Sequence, residues 1–357
     1  MKRLISLSLL TLWASSLVAQ SEVEAVLSSI EQRNLGLQSL RCEQQASQHD
    51  LKAENQLSGP SVEYSPFYAE GTTGVAESEL VVSEEFDFPT LYASRSRQTQ
   101  LERQSGDQQY RAARSQLLLQ AELLCYEVIH TNEVIDMLRQ RLSASDSLLL
   151  IYEKRMEAGD ANILELNKVK LDRMEVVTQS SETENERTTL LSQLQALNDG
   201  EPVTILATQY PEQYPAIDFP TFLSEAMSAH PDILTAQADV RAAAHQVSVA
   251  RQEWLPSLSV GYRRNTSGAE AVNGFLVGAS FPLLGNAQRV KAAKQRQLSA
   301  ELQLQDAQQT ARIELETRYN QWLSLQRVLA HCDVGMMHET IALLGKALQH
   351  GEISALQ

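Results

Sequence analysis

The sequence predicts a mainly α-helical protein with a membrane β-barrel portion, built from two copies of a helix, β-hairpin, long helix, helix unit. Three observations predict it. Landmarks recur along the 357 residues at a near-constant spacing. The longest stretches carry an apolar period of about 3.5 residues. Two short segments, each opened by a proline, alternate apolar and polar residues as half-buried strands do.

The duplication rests on four pairs of landmarks. Leu37 and Ile233 stand 196 positions apart, and so do Pro60 and Pro256, which open GPSVEYS and LPSLSVGY. Phe88-Pro89 answers Phe281-Pro282 with the prolines 193 apart, and Gly159 answers Gly351 at 192. A slightly shorter second hairpin loop accounts for the drift.

Taken in order, residues 1–19 read as a secretory leader. Lys2 and Arg3 form the basic end, Leu4 to Leu12 the apolar run, and Ala19-Gln20 the cleavage point. The run is too short to span a bilayer as a helix. Residues 20–198 form the first unit: a helix over 21–58, strands near 60–68 and 79–88, a long helix over 91–158 and a helix over 161–198. No proline falls between Pro89 and Pro202, so nothing interrupts the long helix sharply. At 1.5 Å per residue it extends on the order of 100 Å, wider than any globular core. Its apolar seam runs Leu117, Ala121, Leu124, Val128, Thr131, Ile135, Leu138, Leu142, Ser145, Leu149, Tyr152 and Met156 in steps of four and three, as supercoiled helices require. Residues 199–220, with four prolines, form a linker. Residues 221–357 form the second unit: a helix over 221–254, strands near 256–264 and 272–281, and a long helix over 284–349. The repeat implies a further helix, equivalent to 161–198, beyond Gln357.

Composition narrows the function class. The formal charge of −15 argues against a nucleic-acid partner. Losing the leader removes Lys2 and Arg3 and no acidic residue, so the exported chain is more acidic still. Cys42, Cys125 and Cys332 are odd in number and far apart, which fits small packed side chains better than a disulfide framework. No phosphate loop, G-x-S-x-G elbow, H-E-x-x-H pair or C-x-x-C pair occurs, so neither catalysis nor a cofactor is expected. His331, Cys332, His338 and His350 gather near the end, but His331 and His338 stand seven apart. Metal ligands on a helix sit three or four apart, so surface histidines are expected and no metal site.

The strands carry the membrane reading. Leu258, Val260 and Tyr262 share one face, with Ser257, Ser259, Gly261 and Arg263 on the other. Phe275, Val277, Ala279 and Phe281 oppose Leu276, Gly278 and Ser280. Leu80, Val82, Phe86 and Phe88 alternate with Glu79, Val81, Ser83, Glu85 and Asp87, although Glu84 breaks the apolar side. Tyr64, Phe67, Tyr68, Phe86, Phe88 and Tyr92 cluster where an aromatic girdle would sit. Four strands cannot close a barrel, and an open edge leaves amides unpaired in lipid. Several copies sharing one barrel solve the problem. A small soluble sheet capping a helical bundle is the alternative.

Duplicated units of this order, the proline-led strands at Pro60 and Pro256, the turns Phe88-Pro89 and Phe281-Pro282, and the two glycine tips resemble the TolC-like outer-membrane efflux family across nearly the whole chain. The resemblance implies an α-barrel tunnel of twelve helices and a shared twelve-stranded β-barrel in a homotrimer, set in the Gram-negative outer membrane and reaching into the periplasm. It implies tips formed by Gly159, Asp160, Ala161, Asn162 and Ile163 and by Gly351, Glu352, Ile353 and Ser354. The implied partners are a periplasmic adaptor protein, an inner-membrane pump of the resistance-nodulation-division type and outer-membrane lipid; the style is near the heavy-metal branch. Members of the family carry an acidic constriction beyond the second tip. Glu165 holds the corresponding place after the first tip, where a solvated helix carboxylate is the simpler reading. A soluble periplasmic coiled-coil scaffold, or the adaptor itself, remains the rival, though no lipoyl-like β segment is evident.

Overall fold

A computed structural model describes residues 20–71, 73–210, 218–267, 270–282 and 285–349. The leader at 1–19, the tip Gly351 to Ser354 and His350 lie outside the described residues. Residues 20–33 form helix α1, followed by α2 (Leu35–Glu54), β1 (Ser61–Phe67), β2 (Glu77–Phe86), α3 (Pro89–Glu157), α4 (Ile163–Leu197), α5 (Phe219–Ala229), α6 (Pro231–Gln252), β3 (Ser257–Ser267), β4 (Glu270–Ser280), α7 (Asn286–His331) and α8 (Val334–Gln349).

Each helix expected before a hairpin is broken in two, and the breaks lie 196 positions apart, at Asn34 and His230. Asn34 turns its side-chain oxygen to the Leu37 amide at 3.0 Å and its Nδ2 to the Leu197 carbonyl at 2.9 Å. It thereby caps α2, as an asparagine at a helix start does. At the second break Pro231 opens α6 and holds His230 extended, with ψ 122°. A proline lacks the amide proton and excludes the residue before it from the helical region. The last long helix also breaks. Asp333 accepts the Met336 amide at 2.9 Å and caps α8.

The chain divides into two compact units. One comprises residues 39–113 and 220–315. Its four strands pair antiparallel in the order β1-β2-β3-β4. The turn from β2 into α3 is held by Arg95, which bonds Asp87 at 2.6 Å, and by the Tyr92 hydroxyl, which accepts the Asp87 amide at 3.1 Å. Val247, Ala250 and Ala293 pack α6 on α7. Gln44 of α2 donates to Asp107 of α3 at 2.5 Å, and Ser105 donates to Asp239 of α6. At Gly106 a Cβ would lie 3.4 Å from the Gln44 side chain, so the lone glycine of the long helix marks a close helix crossing.

The other unit comprises 1–38, 114–219 and 316–357, of which the described part is helical with one strap. Its core joins Val23, Val26 and Ile30 of α1 to Ala121, Cys125, Val128 and Ile129 of α3 and to Leu190 and Leu194 of α4. Most of the predicted seam is buried along α3, at Ala121, Val128, Thr131, Ile135, Leu138, Ser145 and Tyr152, though Met156 at its end is exposed and Cys125, Ile129 and Asn132 beside it are buried too. Cys125 shares this core, and burial, aided by Glu122, pushes its thiol up to about 12. Glu31 and Arg114 form a two-point pair at 2.7 and 2.6 Å, and the Arg114 hydrogen bond holds Glu31 below the usual carboxylate range.

The linker begins as a strap across this unit. Ile205 is fully buried in the core. The Leu206 and Ala207 amides donate to Glu22 of α1, each at 3.0 Å. Asn132 of α3 donates to the Ile205 and Ala207 carbonyls at 3.1 and 3.0 Å, and Arg187 of α4 braces Asn132 at 2.5 Å. Side chains from three helices thus satisfy the backbone of a segment that has no sheet or helix of its own.

Candidate functional site: the sheet faces and the hairpin tip

Strand register settles which side chains share a face, since directly paired residues point the same way. One face is built in rows: Phe86, Leu258 and Ala279; then Glu84, Val260 and Val277; then Val62, Val82, Tyr262 and Phe275; then Tyr64, Leu80, Arg264 and Asn273; and last Pro66, Ser78, Thr266 and Ala271. The first three rows are apolar except for Glu84. They are barest on β4, where Phe275 is 92% exposed and Val277 83%, while Phe86 and Leu258 are half-buried. A soluble protein rarely leaves so broad an apolar patch in water. Among the described residues no helix is long and apolar enough to cross a membrane.

The opposite face is mostly polar, with Val81, Leu276, Val272 and Phe67 among its side chains, and in part crowded. Ser61 and Ser83 bond across β1 and β2 at 2.9 Å, Ser257 donates to Glu85 at 2.5 Å, and Arg263 pairs with Glu79 at 2.9 Å. A Cβ at Gly261 would come within 2.7 Å of the Val82 carbonyl, and one at Gly278 within 2.5 Å of the Ser259 hydroxyl. These two glycines therefore keep the polar face close-packed. At the margins of the sheet, β1 and β4 each present an unpaired edge. The two hairpins read separately in the sequence are one sheet, joined by β2 and β3.

The first tip is a fully capped turn. Gly159 adopts φ 79°, and its amide donates to the Met156 carbonyl at 3.1 Å while the Asp160 amide reaches the Arg155 carbonyl at 2.8 Å. That pair of bonds ends α3 in a Schellman motif, which needs the left-handed residue. Asn162 then starts α4: its Oδ1 accepts the Leu164 and Glu165 amides at 2.8 and 3.0 Å, and Glu165 accepts the Asn162 amide at 3.1 Å. This is a capping box. The Glu165 carboxylate is thus engaged by its own helix start. Behind the turn Tyr152 packs with Leu166 and Val169, and Arg155 lies 5.4 Å over the Tyr152 ring. Ile163 and Leu164 stay exposed, Leu164 at 72%.

Above the tip two crossed pairs join α3 to α4: Arg141 with Asp172 at 2.8 Å and Asp146 with Arg173 at 2.5 Å. Ser145, itself buried, also donates to Asp172 at 2.9 Å. That hydroxyl, and after it Arg141, holds the Asp172 carboxyl below its ordinary value, against the opposing effect of burial.

Sequence reasoning missed the strap residues Glu22, Asn132 and Arg187 and the brace at Asp172, because partners 27 to 185 positions apart leave no local pattern. His331 bonds the Arg327 carbonyl at 2.7 Å, Cys332 is exposed, and no cluster suited to a metal occurs among the described residues.

The chain thus joins an antiparallel sheet, apolar over much of one face and mostly polar on the other, to long helices. The fold is similar to that of a membrane protein from Pseudomonas aeruginosa, with a TM-score of 0.74 and 17% identity, covering 94% of this chain and 82% of that one. It is similar to the Campylobacter jejuni CmeC outer membrane channel, at 0.73 and 16%, covering 94% and 78%. The Vibrio cholerae outer membrane protein VceC matches at 0.71 and 14%, covering 94% and 87%. Residues 222–334 match the family model described as outer membrane efflux protein. The likeness to the TolC-like outer-membrane efflux family drawn from the sequence therefore holds. No curated protein sequence matches the chain.

Proposed function

We propose that this chain is one protomer of an outer-membrane exit duct that passively conducts substrates out of a Gram-negative cell, and that it has no catalytic role. The observation that carries the reading is the sheet with a bare apolar face, a polar face and two open edges. In water such a face drives aggregation; in lipid its edges must be paired. Strand directions alternate, so β4 of one copy continues antiparallel into β1 of the next. Two copies would supply eight strands, and a barrel of that size is filled by its own side chains. Three copies supply twelve and leave an aqueous lumen, which supports a homotrimer. Eleven residues of β4, at about 3.3 Å each and tilted about 40°, rise roughly 28 Å, close to the ~25 Å apolar band of an outer-membrane barrel.

The polar face then lines the lumen, and the helices continue the conduit into the periplasm as a tunnel. The chain is a tandem duplication of one unit, 20–198 and 221–357, joined through 199–220. Gly159 to Ile163 form the first tip and Gly351 to Ser354 the second; both engage a periplasmic adaptor, which links the duct to an inner-membrane pump of the resistance-nodulation-division type. A soluble periplasmic scaffold would leave Phe275 and Val277 in water with no compensating partner. Fractionation of cells making the full-length chain tests the reading. A heat-resistant trimer in outer-membrane extracts is expected, and a soluble monomer would overturn it.

A further inference from the structure

Two adjacent arginines on β3 have opposite situations. Arg263 points to the polar face and is paired with Glu79 at 2.9 Å. Arg264 points to the apolar face, is exposed, and has no carboxylate partner among the described residues. Its cross-strand neighbours are Leu80 on β2 and Asn273 on β4. The row below it is Val62, Val82, Tyr262 and Phe275, the centre of the apolar face. The row above is Pro66, Ser78, Thr266 and Ala271, where that apolar character ends.

We propose that Arg264 and Asn273 form a docking site for the phosphate of an anionic lipid headgroup at the outer surface of the membrane. The inference rests on the lipid-facing reading of this sheet face. A guanidinium is tolerated there only where it can rise out of hydrocarbon, and its row is the last before the polar rim. Asn273 supplies the second donor. Its Oδ1 accepts the Tyr262 hydroxyl at 2.8 Å, which orients the amide and leaves its NH2 group to donate. A planar fork beside an oriented amide is a donor set matched to phosphate oxygens, and Arg serves such oxygens better than Lys because the fork bonds two at once. Glu84 lies two rows below, about 13 Å along the strand at about 3.3 Å per residue, so it does not compete for the guanidinium. The chemistry selects a phosphate held at an interface over a free anion, because the donors sit beside the hydrocarbon band and not in a pocket.

The test is native mass spectrometry of the full-length trimer titrated with bisphosphorylated lipid A, with dephosphorylated lipid A as the comparison. Arg264→Gln should weaken binding of the phosphorylated form about tenfold, the scale of one charge-assisted contact, and leave the dephosphorylated form unchanged. Arg264→Lys should recover part of the loss, and Arg263→Gln should change nothing. Equal affinity of wild type and Arg264→Gln would overturn the site, as would displacement of the lipid by inorganic phosphate. Quenching of Trp254 by depth-placed probes in phosphatidylcholine vesicles separates the two levels of the argument. Insertion without a phosphate preference overturns the lipid site alone, whereas absence of insertion overturns the membrane reading beneath it.

Discussion

Replacing Val277 by arginine discriminates a lipid-facing sheet from a wetted one. Val277 is 83% exposed, so its side chain buries little within the protomer. If the face met water, Val277→Arg would change stability by no more than about 0.5 kcal/mol, as for most surface positions. If the face meets hydrocarbon, an arginine there costs about 2–4 kcal/mol near the midplane. Three copies multiply this to about 6–12 kcal/mol per trimer. Gly274 is the control, because it lies three residues away on the opposite face and a Cβ there meets nothing within 4 Å. Gly274→Arg sets a second cation opposite Arg263 on the polar face, a repulsion of about 1 kcal/mol or less and below the lipid-facing cost. The assay is urea unfolding of full-length protein in vesicles, followed by loss of the trimer band on a semi-native gel. A lower midpoint for Val277→Arg and a near wild-type midpoint for Gly274→Arg are expected. Equal tolerance of the two arginines would refute the assignment of the faces.

Three further predictions concern the helical unit. Gly159→Val forces a branched side chain into the left-handed region at φ 79°, which costs at least about 1–2 kcal/mol; since a Cβ would touch nothing, trimers should persist while efflux in a drug-accumulation assay falls, and unchanged efflux would remove the tip from the mechanism. Asp172 has a folded-state pKa below its ordinary 3.8, so its contribution is present above that value and lost as pH falls through the lower folded one. A melting-temperature profile carried from neutral pH to below that range should fall less steeply for Asp172→Asn than for wild type, and superimposable profiles would show that the brace adds no stability. At the strap, Ile205→Ala should cost about 2–5 kcal/mol by opening a core cavity, and Asn132→Leu about 1–3 kcal/mol by stranding the Ile205 and Ala207 carbonyls; guanidinium unfolding checks both, with values under half a kcal/mol counting against the clasp.

Much of the architecture was legible in the sequence because it rests on short-range periods. The α3 seam, the strands led by Pro60 and Pro256 and the turn at Gly159 each express a local rule: heptad spacing, period-two alternation, the left-handed freedom of glycine. The helix break at His230 was equally open to reading, since Pro231 stands in plain view, although one helix was expected over 221–254. Asn34 offered a weaker signal, because an asparagine inside a helical pattern becomes a cap only when its amide finds a tertiary partner, here the Leu197 carbonyl. Glu165 could be placed near the tip by position, yet its engagement in the capping box depended on where α4 starts.

By itself the sequence determined the mainly helical class, the proline-bounded strands and the amphipathic sense of each strand, because these follow from neighbours within a few residues. Only the tertiary structure decided that β2 pairs with β3, so that four separately amphipathic segments become one apolar face with two free edges. It alone set Arg263 against Glu79 and placed Arg264 on the opposite face between Leu80 and Asn273, and it alone gathered Glu22, Asn132 and Arg187 around the strap. The physical reason is one of range: a period constrains which way a side chain points, whereas register and long-range pairing determine what it meets there.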